Sequence, residues 1–62
     1  MTPVKLLDEK EAAEFLHCTV AFLRRRRLFR TGPMFAKLGR LVRYRMEDLV
    51  AYVAENLEGQ AA

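Results

Sequence analysis

Two short helical patterns with only three residues between them limit the folds open to this chain. The first pattern covers about residues 9–16, where Ala12, Ala13 and Leu16 recur on one side of a 3.6-residue period. The second covers about residues 20–29. A connection this short predicts two separate helices that meet at a tight turn, and not one long helix.

Both predicted helices begin at capping residues. Asp8, with Glu11 three residues later, forms a capping-box pattern. His17 and Cys18 interrupt the first helix, and Thr19 is expected to cap the second. This arrangement predicts a helix-turn-helix unit.

The second helix has one face that we predict to be buried and one that is basic. At 100° per residue, the predicted core face is Phe22, Leu23, Arg26 and Phe29. We expect Arg26 to lay its aliphatic stem on the core and its charged head at the edge. The other face is small, apolar or basic: Val20, Ala21, Arg24, Arg25, Arg27 and Leu28.

A small β-hairpin is predicted at about residues 35–45, after Gly32 and Pro33 end the second helix. A three-residue loop at 39–41 gives this hairpin one apolar face and one basic face. The pairs expected from that loop are Leu38 with Val42, Ala36 with Tyr44, and Lys37 with Arg43. A two-residue loop is less favoured because it places Lys37 opposite Val42.

A third helix is predicted at about residues 46–57, followed by a frayed tail at 59–62. The predicted core also includes the rings of Phe35, Tyr44 and Tyr52. The fold class is therefore mainly α with a small β-hairpin wing. We expect one winged helix-turn-helix domain over residues 1–62, made of three helices and a two-stranded antiparallel hairpin.

Charge is strongly separated along the chain. Nine Lys and Arg residues and no acids lie between Arg24 and Arg45. The other forty residues hold two lysines and all eight acids, a net charge of −6. A concentrated positive surface attracts a polyanion, so this pattern favours nucleic acid as a partner. Four consecutive arginines without an acid are unusual for a face that is merely solvated.

Several other function classes lack the residues they need. The chain has no Ser, one His, one Cys and three scattered glycines, so a serine nucleophile and a Gly-rich phosphate loop are excluded. His17 and Cys18 supply only two of the four ligands of a structural zinc site. We therefore expect no enzyme activity, no cofactor and no metal.

The composition also bears on where the chain works. Cys18 has no partner for an intramolecular disulfide, which suits a reducing, cytoplasmic compartment. The longest apolar run, Leu49 to Ala54, is far short of the ~20 residues that span a bilayer, so we expect no membrane partner.

The segment from Gly32 to Leu49 resembles the wing and third helix of a known DNA-binding family. The matching residues are Gly32-Pro33-x-Phe35-x-Lys37-Leu38-Gly39-Arg40-x-Val42-Arg43-Tyr44-Arg45-x-Glu47-Asp48-Leu49. The family comprises small phage and plasmid winged helix-turn-helix proteins, including excisionases, AlpA-like regulators and MerR-like headpieces. Residues 11–16 are similar to its first helix, and the resemblance covers about residues 6–54.

The chain departs from this family at two places. His17-Cys18-Thr19 stands where the family usually has Gly-Val-Ser, so a left-handed backbone at His17 would be strained. Cys18 keeps a small buried hydrophobe there. Arg26 stands where many relatives have Trp.

The predicted DNA contacts lie on the second helix and on the wing. Arg24 and Arg25 face outward where recognition helices meet base edges, and Val20 and Ala21 can touch thymine methyls. Arg27 and Arg30 are assigned to phosphates, as is Thr19 with the helix N-terminus. Wing contacts are expected at Lys37, Gly39, Arg40, Arg43 and Arg45, with Arg40 at a minor groove or the backbone.

The resemblance implies an excisionase, or recombination directionality factor. Such proteins bind adjacent sites on double-stranded DNA cooperatively and bend the DNA, so that an integrase excises instead of integrating. The alternative is a small transcriptional regulator of a mobile element, in the cytoplasm of a bacterium or a phage-infected host. A protein-interaction module, docking through the acidic ends, is the alternative from a different class.

Overall fold

The computed structural model describes residues 5–59. The elements in chain order are β1 (Leu6–Leu7), α1 (Glu9–Leu16), α2 (Val20–Phe29), β2 (Ala36–Leu38), β3 (Leu41–Arg45) and α3 (Met46–Glu55). The first two helices have the predicted bounds, whereas α3 ends two residues earlier than expected. Residues 60–62 of the predicted tail lie outside the described residues.

A side-chain capping box starts α1, and a left-handed backbone residue ends it. Asp8 accepts from the backbone N–H of Glu11 at 2.8 Å, and Glu11 accepts from that of Asp8 at 3.0 Å, which completes the predicted capping box. The helix ends at His17, whose φ of 56° and ψ of 44° are left-handed. The strained turn expected from the missing glycine is therefore present.

The helix α2 begins and ends in the same manner as α1. The Thr19 hydroxyl accepts from the backbone N–H of Phe22 at 3.0 Å, as predicted. Its last turn closes at Arg30, which has a left-handed φ of 54°. Gly32 follows because a Cβ at this position would lie 2.5 Å from the Cβ of Arg26.

The predicted hairpin loop is wrong. The two strands pair Ala36 with Arg43, Lys37 with Val42, and Leu38 with Leu41, so the loop has two residues. Gly39 has a φ of +65° whereas Arg40 does not lie in that region, which is the pattern of a type II′ turn with glycine first. Turn chemistry therefore decides the register. Lys37 shares a face with Val42 at little cost because it lies at the exposed end of the hairpin.

The sheet has three strands and not the two that the sequence predicts. Leu6 pairs with Arg45 and Leu7 with Tyr44, so β1 extends the hairpin in the order β1-β3-β2. A strand of two residues is too short to show the alternation of apolar and polar side chains, so the sequence does not predict β1. The pairing buries Leu7 and places the start of α1 beside the sheet.

The core is a cluster of Leu7, Ala12, Ala13, Leu23, Tyr44 and Leu49. The predicted burial of Phe22 and Phe29 is wrong, since they are 41% and 56% exposed. The predicted burial of Leu23 is confirmed, and α2 turns Val20 and Arg27 toward the interior beside it, a rotation of roughly 100°, or one residue, from the predicted face. Phe35 and Tyr52 are half-buried, and only Tyr44 of the predicted rings is fully enclosed.

Candidate nucleic-acid interface

Helix α2 presents a solvent-facing surface that differs from the predicted basic face. Ala21, Arg24 and Arg25 are exposed, as the sequence predicts. Leu28 is 76% exposed and lies one to two turns along the same side, so it belongs to this surface although it was not among the predicted site residues. Val20 is half-buried against the core. The surface therefore combines arginines with small and apolar side chains.

Arg24 is held by an acid from the first turn of α1. Its Nε donates to Glu9 Oε1 at 3.1 Å and its Nη2 donates to Glu9 Oε2 at 3.0 Å. This is a two-pronged arginine–carboxylate pair, the geometry that best matches the two groups. The Arg24 side chain is nevertheless 64% exposed, so it remains open to a partner.

Arg27 is built into the fold more deeply than Arg24. Its Nη2 donates to Glu9 Oε1 at 2.8 Å, its Nη1 donates to the Tyr44 hydroxyl at 2.8 Å, and its guanidinium lies 5.7 Å from the centre of the Phe35 ring. The side chain is 17% exposed. These contacts connect α1, α2 and β3, and they leave little of Arg27 for the phosphate contact assigned to it.

The two arginines change the acidity of Glu9. Hydrogen bonds from Arg24, and then from Arg27, together with their positive charges, lower the pKa of Glu9 from 4.5 to about 2 against the opposing effect of burial. Glu9 is therefore ionised at neutral pH, and the cluster carries one negative and two positive charges.

The predicted wing contacts separate into two groups. Lys37, Gly39 and Arg40 are exposed at the hairpin end, and Arg43 is half-buried with its Nη1 bonded to the Val42 carbonyl at 2.8 Å. Arg45 is different because its Nε lies 2.6 Å from Asp48 Oδ2 and its Nη1 lies 3.6 Å from Glu47 Oε2. The positive charge of Arg45 therefore offsets part of the negative charge of Glu47 and Asp48 in the first turn of α3.

A groove separates the helix side of this surface from the hairpin. Glu9, Arg24 and Arg27 line it on the helix side, and Lys37, Arg40 and Arg43 line it on the hairpin side. Thr19 stands at the N-terminus of α2 and Arg30 at its C-terminal end, both exposed. The fold thus brings six of the twelve predicted site residues, including Val20, to one basic groove between α2 and the hairpin, whereas Arg30 lies beside Gly32 and Pro33 in a different depression.

Arg26 and Cys18 lie away from this groove. The Arg26 guanidinium stands 5.4 Å from the centre of the Phe22 ring, and its Nε is buried with no hydrogen-bond partner among the described residues. The Arg26 stem packs against Gly32, in keeping with the expected position at the core edge. Cys18 packs on the core as predicted, and burial raises the pKa of its thiol.

Glu9 lines the candidate interface and pairs with two of its arginines, but it is not among the site residues predicted from the sequence. It lies fifteen positions from Arg24 and eighteen from Arg27, and no motif connects residues at those separations. The pairing depends on how α1 packs against α2, which the sequence does not specify.

Within residues 5–59, no group of three or more His, Cys, Asp or Glu side chains is placed to hold a metal ion. Over the same residues, no helix has the length and apolar character needed to cross a membrane.

Comparison with known proteins agrees with the resemblance seen in the wing and first helix. A family model described as "Helix-turn-helix domain" matches residues 6–57, which includes every helix and strand of the structure. No curated protein matches the chain. The geometry of α1, α2 and the three-residue connection between them is that of this motif. The chain therefore belongs to the family of helix-turn-helix domains, whose fold implies DNA binding.

Proposed function

We propose that the chain is an accessory DNA-binding protein of the excisionase type, which binds adjacent sites on duplex DNA and acts without catalysing a reaction. The observation that supports it best is the basic groove between α2 and the hairpin, with exposed cations on both sides. Two elements of this kind can contact a base-pair edge and the neighbouring backbone at the same time.

In the proposed complex, α2 enters the major groove and the hairpin lies along the flanking backbone. Arg24 and Arg25 are the candidates for base edges, with Ala21 and Leu28 contributing apolar contacts. Arg30, Thr19, Lys37, Gly39 and Arg43 are assigned to the backbone, and Arg40 to the minor groove or the backbone. We give Val20, Arg27 and Arg45 supporting roles because their side chains contact the rest of the fold.

Cooperative binding of several copies is part of this proposal. One α2 surface offers only a few side chains to the bases, and a short readout gives little discrimination against competing genomic sites. Exposed acids lie on α3 (Glu47 and Glu55) and shortly after it (Glu58). These can meet the basic surface of a neighbouring copy in a head-to-tail contact.

The proposal is tested in two steps. Binding to a duplex pool at low salt, followed by selection, defines a site, and probes with one or two sites then measure cooperativity. An excision reaction with a recombinase and its attachment sites, run with and without the chain, tests whether the chain directs the recombinase toward excision. The reaction can be followed in host cells or in a reconstituted mixture. Site-specific binding that changes transcription but not excision would support the regulator. Negligible duplex binding at low salt would leave the protein-interaction module.

A further inference from the structure

Glu9 occupies only one edge of the Arg24 guanidinium. The fork uses Nε and one N–H of Nη2. A guanidinium carries five N–H groups in a rigid plane, so the edge formed by Nη1 and the second N–H of Nη2 is unused by the described residues. This edge belongs to an exposed side chain that lines the groove. It is open to an acceptor that enters from solvent.

The carboxylate of Glu9 is itself held from behind. Arg27 donates to Glu9 Oε1, and the other end of the Arg27 guanidinium is fixed by the Tyr44 hydroxyl. Tyr44 is fully buried in the core. A chain of hydrogen bonds therefore runs from the core through Arg27 and Glu9 to Arg24. A free arginine side chain loses considerable rotamer entropy when it is ordered, and this chain reduces that loss before DNA arrives.

We propose that Glu9 is a positioning residue for base recognition, which orients Arg24 so that its free edge pairs with a guanine in the major groove. Guanine presents O6 and N7, two acceptors that match two parallel arginine N–H groups. The inference rests on the proposed docking of α2 in the major groove. It makes Glu9, an acid on the neighbouring helix α1, a determinant of sequence preference. It also assigns guanine as the base that Arg24 contacts.

A simpler role for Glu9 leads to the opposite result. If Glu9 only neutralised Arg24, it would weaken binding to every phosphate backbone, and its removal would strengthen binding to all sequences alike. A positioning role instead requires that its removal reduce the preference for the selected site over an unrelated duplex. The ratio of the two affinities therefore separates the two roles.

The first experiment measures both affinities at one salt concentration for wild type, Glu9→Gln, Arg24→Lys and Glu14→Gln. Glu14 is an exposed acid on α1 with no ion pair among the described residues, so Glu14→Gln removes the same charge without removing the fork. We expect Glu9→Gln and Arg24→Lys to reduce the affinity ratio at least about fivefold, the lower limit for a good bidentate contact, and Glu14→Gln to leave it unchanged. An unchanged ratio in Glu9→Gln, or an equal gain on both duplexes, would overturn the inference.

The second experiment alters the DNA, and its deciding measurement uses the wild-type protein. Each guanine of the selected site is replaced in turn by 7-deazaguanine, which lacks the N7 acceptor. One replacement should weaken wild-type binding and have little effect on Arg24→Ala. If no replacement weakens wild-type binding, the inference is wrong while the proposed function stands. If the wild type bound no duplex at low salt, the proposed function would fail as well.

Discussion

The Tyr44 hydroxyl accepts a hydrogen bond from Arg27 Nη1 at 2.8 Å, which joins the last turn of α2 to the central strand of the sheet. The Tyr44 side chain is fully buried, so this contact brings the Arg27 guanidinium against the core. Together with the buried Leu23, it determines which face of α2 is turned toward the core. The opposite face is the one that we propose docks on DNA.

Removing this hydroxyl should destabilise the fold. In Tyr44→Phe, Arg27 keeps its hydrogen bond to Glu9 but loses the one to the Tyr44 hydroxyl. A hydrogen bond to a charged group contributes about 1.5–3 kcal/mol to the free energy of unfolding. Because Arg27 retains some exposure to water, we expect a loss near the lower end of that range. The free energy of unfolding in urea measures it. Tyr52→Phe is the matched control, since the Tyr52 hydroxyl has no hydrogen bond among the described residues; an equal loss in both variants would contradict the prediction.

The features that sequence could predict are those that depend on neighbouring residues. Asp8 and Thr19 cap their helices where expected because a cap needs only the next three residues. The left-handed backbone at His17 is expected from the resemblance instead, because the family usually has glycine at that position. The local sequence also indicates the correct hairpin loop, because Gly39 suits the first position of a two-residue type II′ turn. The alternation of apolar and basic residues along the strands favours the three-residue loop instead, and that prediction is wrong.

The features that sequence could not predict depend on how elements pack. The hydrophobic period of α2 is ambiguous, because Leu23 can share the core face either with Phe22 and Phe29 or with Val20. In the structure, the face with Val20 packs inward because Arg27 contacts both Tyr44 and Glu9. These contacts exist only once β3 and α1 have packed beside α2. The sequence predicts the basic residues of α2 and the hairpin that flank the groove, but not the contacts among Glu9, Arg27 and Tyr44 that support them.

His17→Gly should stabilise the protein. A left-handed backbone costs an ordinary residue about 1–2 kcal/mol, and glycine avoids this cost but loses part of the gain to its greater freedom in the unfolded chain. We expect a net gain of about 0.5–1 kcal/mol, and about 4–8 °C in melting temperature for each kcal/mol in a domain of this size.

Arg30→Gly provides the comparison for His17→Gly, because Arg30 has nearly the same left-handed backbone at the end of α2. Both variants should melt at a higher temperature. Only Arg30→Gly should also weaken DNA binding, since the arginine is a proposed phosphate contact. A lower melting temperature in His17→Gly, or unchanged DNA affinity in Arg30→Gly, would show that the assignment of that residue is wrong.

Acid should weaken the fold through Glu9. The pKa of Glu9 is about 2 in the folded chain, below its ordinary value of 4.5. A lowered folded pKa gives stability that is present above about pH 4.5 and is lost as the pH falls toward 2. Urea unfolding of wild type and Glu9→Gln between pH 2 and pH 7 isolates this contribution from the other acids. The difference between the two proteins should shrink as the pH falls, and a difference that stays constant would contradict it.

Arg25 and Lys37 should affect DNA binding in different ways. Arg25 is exposed on the face of α2 that we place in the major groove, and Lys37 is exposed on the hairpin beside the backbone. Arg25→Ala should lower affinity for the selected site by about 1–3 kcal/mol and reduce the preference for it over other sequences. Lys37→Ala should weaken binding to all sequences alike and reduce the slope of log affinity against log salt by about 1.

Each of these two variants is the control for the other, because both remove one positive charge from an exposed side chain. Titrations at several salt concentrations, on the selected duplex and on an unrelated one, separate the two effects. Wild-type affinity and selectivity in both variants would contradict the docking of α2 and the hairpin. A contact to phosphate alone carries no direct sequence information. An equal loss of selectivity in Arg25→Ala and Lys37→Ala would therefore show that the hairpin contacts bases, as α2 is proposed to do.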